Sequence, residues 1–112
     1  MSYKTEFSTY FTAEVKRLKK RHRSLIDDLE DFKKDLQENP FQGVELTPGI
    51  RKIRMAITSK GGGKAGGARV ITANAIIAEK EGRISFLLIY DKADAANVKM
   101  NVVKKIAKEM GF

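Results

Sequence analysis

From Arg51 to Arg69 the chain carries Arg51, Lys52, Arg54, Lys60, Lys64 and Arg69 with no acid among them; the nearest carboxylates are Glu45 and Glu79. Cations at this density without counter-charges suit a polyanion. Arginine forks match phosphate oxygens, and lysines add point charge. Five glycines lie between Ser59 and Ala68, interleaved with Lys60 and Lys64. A loop of that composition exposes backbone N–H groups, which also attract anions. The chemistry open to such a set is to hold a phosphodiester and to stabilise negative charge developing on it. The row Lys52, Arg54 and Arg69 is therefore read as phosphate binding rather than as charge that only discourages strand edges from pairing.

Other candidates carry less. A nucleotide-binding P-loop needs Gly-x-x-x-x-Gly-Lys-Ser/Thr between a strand and a helix. Gly62 to Gly67 has the glycine spacing, but Ala68-Arg69 follows, and the loop joins two strands. His22, the single histidine, sits in the basic block Lys16–Arg23 and has no partner near it in sequence. That block reads as a solvated face or a secondary surface for nucleic acid or a partner. The acids of residues 27–38 are spaced for solubility and for pairing along a helix rather than for a metal. Tyr90-Asp91-Lys92-Ala-Asp94 closes an apolar strand, where side chains often reach the mouth of a site.

The elements that position these residues follow from periodicity. Ile50–Met55 and Arg69–Ile77 alternate as strands, with Ile53, Met55 and Ile57 on one face and Lys52 and Arg54 on the other. Residues 3–11 alternate weakly as a short first strand. Thr12 is placed as the cap of a first helix and Ser24 as the cap of a second. Leu25, Leu29, Phe32 and Leu36 give the second helix an apolar stripe, and Asn39-Pro40 ends it. Phe41 to Gly49 reads as loop, and Ile84 to Tyr90 as a buried central strand. Asp94 is placed as the cap of a last helix with Val98, Val102, Ile106 and Met110 as its stripe, ended by Gly111. The expected fold class is α+β: an N-terminal helical hairpin packed on a small, mainly antiparallel sheet, with a C-terminal helix.

Composition bounds the partners. A chain of 112 residues with 42% hydrophobic content supports one domain over residues 1–112. The net charge of +8 favours nucleic acid, an anionic membrane or an acidic protein. The absence of cysteine excludes disulfides, thiolate metal sites and cysteine nucleophiles. The N-terminus lacks a signal-peptide core, and Ile84–Tyr90 is too short to span a bilayer. The expectation is a cytoplasmic protein without a membrane partner, cofactor or metal.

The chain resembles the RelE/ParE toxin superfamily of bacterial type II toxin–antitoxin modules. The resemblance rests on Asn39-Pro40-x-x-Gly43, Gly49-Ile-Arg-Lys-Ile-Arg54, Lys60-Gly-Gly-Gly-Lys-Ala-Gly-Gly-Ala-Arg-Val-Ile71 and Leu88-Ile-Tyr-Asp-Lys92. It implies a RelE-like toxin domain that cuts messenger RNA in the ribosomal decoding site, with the RNA's own 2′-hydroxyl as attacking group. By the same resemblance Lys52, Arg54, Arg69 and Lys92 are the catalytic set; Arg51, Lys60 and Lys64, the other cations of the acid-free stretch, are expected to bind RNA. Arg69 would stabilise the scissile phosphate, and Lys52 or Lys92, crowded by cations, would be the base. Thr72 stands where many relatives carry tyrosine, and Asp94–Phe112 contains no tyrosine. The identity of the acid–base pair is therefore open. The implied protein is a metal-independent endoribonuclease that inhibits translation and is held inactive by a cognate antitoxin. The alternatives are a ParE-like inhibitor of DNA gyrase and a nucleic-acid-binding relative without catalysis.

Overall fold

The computed structural model describes residues 2–112. In chain order the elements are β1 (Lys4–Phe7), α1 (Thr9–Arg21), α2 (Leu25–Glu38), β2 (Val44–Thr47), β3 (Ile50–Met55), a 3₁₀ turn (Thr58–Lys60), α3 (Gly63–Gly66), β4 (Ala68–Ala78), β5 (Glu81–Asp91) and α4 (Met100–Glu109). The strands form one five-stranded sheet in the order β1-β5-β4-β3-β2. Every pairing is antiparallel except that of β1 with β5. The architecture is mixed α+β, with strand β1 preceding the first two helices.

Helix α1 starts earlier than Thr12 suggests, because Ser8 caps it. The Ser8 hydroxyl accepts from the Phe11 N–H at 2.9 Å and donates to the Leu87 carbonyl at 2.6 Å. One buried side chain thus ends β1, starts α1 and ties both to β5. Helix α2 buries Leu25, Leu29, Phe32 and Leu36, the stripe its spacing predicts. Ser24 precedes that helix, but its hydroxyl donates to the Asp28 carboxylate at 2.7 Å instead of capping a backbone N–H. Residues 44–47 pair with β3 although they read as loop; the Pro48-Gly49 signal is the tight turn between the two strands.

The sheet has a core on each face. Phe11, Leu18, Leu29, Phe32 and Leu36 from α1 and α2 pack on Ile53, Met55, Val70, Ile84, Phe86 and Ile89. On the opposite face Val103, Ile106 and Ala107 of α4 pack on Ile50, Ile71, Ala73 and Leu87. Three of the four expected stripe residues pack here, Ile106 buried and Val98 and Met110 against the cluster, while Val103 takes the place of Val102, which is 44% exposed; the helix begins at Met100 rather than after Asp94. Asp94 does not cap the helix; its carboxylate pairs with Arg17 and Arg21 on α1. Residues 92–99 instead form an irregular connection. Helix α4 covers only the Ile50–Ala73 end of its face and leaves the Arg54–Arg69 end open.

Candidate functional site

Strand register brings the cations together. On β3, Arg54 lies directly opposite Arg69 of β4, and Arg69 lies opposite Tyr90 of β5. Side chains alternate along strands, so Lys52, Arg54 and Arg69 share the face that α4 leaves open. Like charges directly opposite one another destabilise a sheet. An anion between Arg54 and Arg69 would remove that penalty.

The open face is a groove of about 610 Å³ whose walls include Lys52, Arg54, Lys64, Arg69 and Lys92. No acid lines it. The sequence-predicted catalytic set is therefore gathered in one place from β3, β4 and the connection after β5, with Lys64 added from α3. The side chains of Arg54, Lys64 and Lys92 have no hydrogen-bond or ion-pair partner among the described residues, while the Lys52 ammonium donates to the Asn97 side-chain oxygen at 3.1 Å. Arg54 and Lys64 also border a smaller concavity carrying Asp28, Asp31 and Asp35 of α2. The groove thus has a cationic floor and an acidic wall beyond one rim.

Arg69 is only 7% exposed, and its guanidinium is already oriented. It donates to the carbonyls of Lys64, Ala65 and Ala68 at 3.1–3.3 Å, which include the otherwise unpaired carbonyl end of α3. The glycine-rich segment is consequently not an open flap. It is a short turn of helix clamped by Arg69. At its end, a Cβ on Gly67 would overlap the Met55 carbonyl oxygen. The Gly67 carbonyl in turn accepts the Lys92 N–H at 3.0 Å. The tight approach of 67 to β3 is what carries Lys64 to the groove rim.

Two of the expected RNA-binding residues sit elsewhere. Arg51 points to the other face of β3, where it donates to the Gln42 and Gly43 carbonyls at 2.8 and 3.2 Å and holds the turn before β2. Lys60 turns inward and meets the Asp91 carboxylate at 2.7 Å. Period-2 alternation places Arg51 opposite to Lys52, and a partner 31 residues away claims Lys60.

Asp91 is the feature that sequence reasoning missed. Its carboxylate is 1% exposed and receives Lys60 at 2.7 Å, His22 Nε2 at 2.7 Å, Arg21 at 3.1 Å and the Ala93 N–H at 2.9 Å. Burial alone would raise its pKa. The hydrogen bonds from Lys60, Ala93, His22 and Arg21 outweigh burial and hold it well below the usual carboxylate range. This knot joins the end of α1, the glycine-rich segment and the end of β5, immediately before Lys92. The sequence signals were His22, a lone histidine inside a basic block, and Asp91, an acid at the end of the apolar run Ile84–Tyr90, with nothing local to pair them.

Because the folded-state pKa of Asp91 is lowered, its contribution to stability is complete above the unfolded value of about 3.9 and is lost as pH falls through the folded value. The urea midpoint is expected to fall progressively below about pH 4. The fall should be shallower in Asp91→Asn, so equal slopes in the two proteins would remove Asp91 from the acid response.

Tyr90 lies on the groove side of β5. Burial raises its pKa, partly offset by the Arg69 charge, so its phenol is neutral at pH 7. Its hydroxyl lies 3.5 Å from the Ala96 carbonyl. Thr72 is fully buried and, three residues from Arg69 on the same strand, points away from the groove. The residue type at 72 therefore does not shape the cationic face.

No family model matches the chain. Its fold is similar to that of the E. coli toxin RelE, solved in the free state as a mutant with two arginines replaced by alanine. The likeness covers 100% of both chains with a TM-score of 0.58 at 16% sequence identity. The fold is RelE-like. No helix among the described residues is long and apolar enough to cross a membrane.

Proposed function

We propose that this protein is the toxin of a type II toxin–antitoxin pair and cleaves messenger RNA on the ribosome. The observation that carries the reading is the acid-free groove of Lys52, Arg54, Lys64, Arg69 and Lys92, set on a RelE-like fold. Arg54 and Arg69 hold the scissile phosphate and stabilise charge as the 2′-oxygen attacks phosphorus and the 5′-oxygen leaves. Lys52 and Lys92 flank that phosphate, within the wall from which a proton acceptor must come. The oriented guanidinium of Arg69 needs no reorganisation when charge develops. The cognate antitoxin, in this reading, covers the same cationic face, which its acidic residues reach quickly through electrostatic steering.

The test is controlled expression with mapping of transcript ends, repeated with purified protein and ribosomes. Cut messages support the reading. Intact messages with a DNA-damage response make the protein a gyrase inhibitor instead. Binding of uncleavable single-stranded RNA should weaken steeply with salt. Three to five groove contacts give a log–log slope of about −2 to −3.5 on single strands. A flat response would remove the groove as a phosphate site.

A further inference from the structure

A second concavity lies at the C-terminal end of α1, apart from the groove. It measures about 310 Å³ and is walled by Lys19, Lys20, His22 and Arg23 from one side and by Ser59 and Lys60 from the other. Like the groove, it contains no acid. Cations in the last turn of a helix stabilise the helix end, and that explains part of this block. It does not explain why the 3₁₀ turn, some 36 residues further along the chain, closes the other wall with another lysine and a serine.

The cations here divide into two sets. Arg21, His22 and Lys60 turn inward onto Asp91, with Arg21 also reaching Asp94, so the buried carboxylate is fully subscribed. Lys19, Lys20 and Arg23 are exposed and have no ion-pair partner among the described residues. Asp91 thus fixes the frame of the concavity and leaves three outward charges without compensation. The Ser24 and Ser59 hydroxyls, 2.9 Å apart, stitch the two walls together. The glycine-rich segment then separates this concavity from the groove: Lys60 stands on one side of it and Lys64 on the other.

We propose that Lys19, Lys20 and Arg23 form a second phosphate-binding site, which takes the backbone of the same RNA beyond the strand seated in the groove. The inference rests on the RNA-cleaving reading for the identity of the polyanion. Its consequence is that the protein binds an extended or folded RNA across two cationic surfaces, with the α3 turn as the divider. The residues of the second site touch no reacting atom and set affinity alone.

The experiment compares wild type with Lys19→Gln/Lys20→Gln/Arg23→Gln on two 2′-O-methyl RNAs that cannot be cut. One is a tetranucleotide that fills the groove alone, and the other is a long hairpin with single-stranded flanks. Three lost contacts at about 0.7–0.9 log unit per decade of salt amount to about 10²-fold in affinity for the long RNA at 0.1 M salt. The slope should flatten by about 2–3 units, and tetranucleotide binding should stay unchanged. Unchanged affinity and slope on the long RNA would overturn the site. An equal loss on both RNAs would overturn it too, since it would show only a change in overall field. The groove variant Arg54→Gln/Lys64→Gln, measured alongside, separates the two readings. If it binds the tetranucleotide as wild type does, the groove assignment fails, while a selective long-RNA loss in the triple variant still establishes the second site.

Discussion

Replacing Arg69 by alanine is expected to lower RNA cleavage by about 10²–10³, the loss typical of removing one fixed donor to developing negative charge. The same substitution should also destabilise the protein. Its guanidinium holds the carbonyls of Lys64, Ala65 and Ala68, and hydrogen bonds to a charged group are worth about 1.5–3 kcal/mol net. With about 4 °C per kcal/mol for a domain near this size, Tm falls by about 6–12 °C. Arg54→Ala separates the two effects, because Arg54 is exposed and holds nothing internal. It should lose cleavage with no fall in Tm, since its removal also relieves the like-charge pair with Arg69. Lys16→Ala, exposed on α1, is the matched control for lost positive charge. Transcript cleavage and thermal unfolding of the three variants decide the matter. A folded Arg69→Ala protein that cleaves as wild type does would exclude Arg69 from the chemistry.

Asp91→Asn carries the largest expected effect on stability. Removing one partner of a buried charge cluster costs about 3–5 kcal/mol, because the remaining charges stay desolvated. The lower end applies here, since Lys60 and Arg21 reach the surface and can turn to water while His22 cannot. About 3 kcal/mol corresponds to a Tm lower by about 12 °C. Urea unfolding should show a reduced midpoint with an unchanged slope. Asp94→Asn is the contrast: Asp94 pairs with Arg17 and Arg21 at the surface, where such pairs contribute little. A midpoint for Asp91→Asn equal to that of Asp94→Asn would show that the buried knot is no more than a surface cluster.

The two predictions rest on parts of the molecule that differ in how legible they were. The alternation Ile53/Met55 against Lys52/Arg54 is a local pattern, and it put the cationic face on the correct side of β3. The 3.6-residue stripe of α2 was equally plain. By contrast, the Asp91 knot joins residues 31 to 70 positions apart, and no local period encodes it. Arg51 and Lys60 looked equivalent to Lys52 and Lys64 as charges. Strand direction and a distant carboxylate assign them to other roles. On α4 the stripe was legible at Val98, Ile106 and Met110 but not the start of the helix, since Asp94, a good cap by type, pairs with Arg17 and Arg21 instead. The glycine-rich segment read as an open loop for a related reason: the donor that folds it, Arg69, lies beyond its end and counted as a ligand for phosphate rather than for carbonyls.

The parallel pairing of β1 with β5 bears on when the molecule becomes whole. Lys4 pairs with Arg83 and Phe7 with Phe86, so the first strand finds no sheet partner until 79 further residues have been made. At about 5–20 residues per second, that wait lasts roughly 4–16 s. During it, Phe11 and Leu18 have no Phe86 or Ile89 to cover them. Contacts so distant in sequence also slow the closing step itself. Strand β5 ends in Tyr90 and Asp91 and leads directly into Lys92, so the strand that completes the sheet also completes the groove. A nascent chain therefore carries its cations long before it can arrange them, and the cationic surface assembles only once β5 has been made.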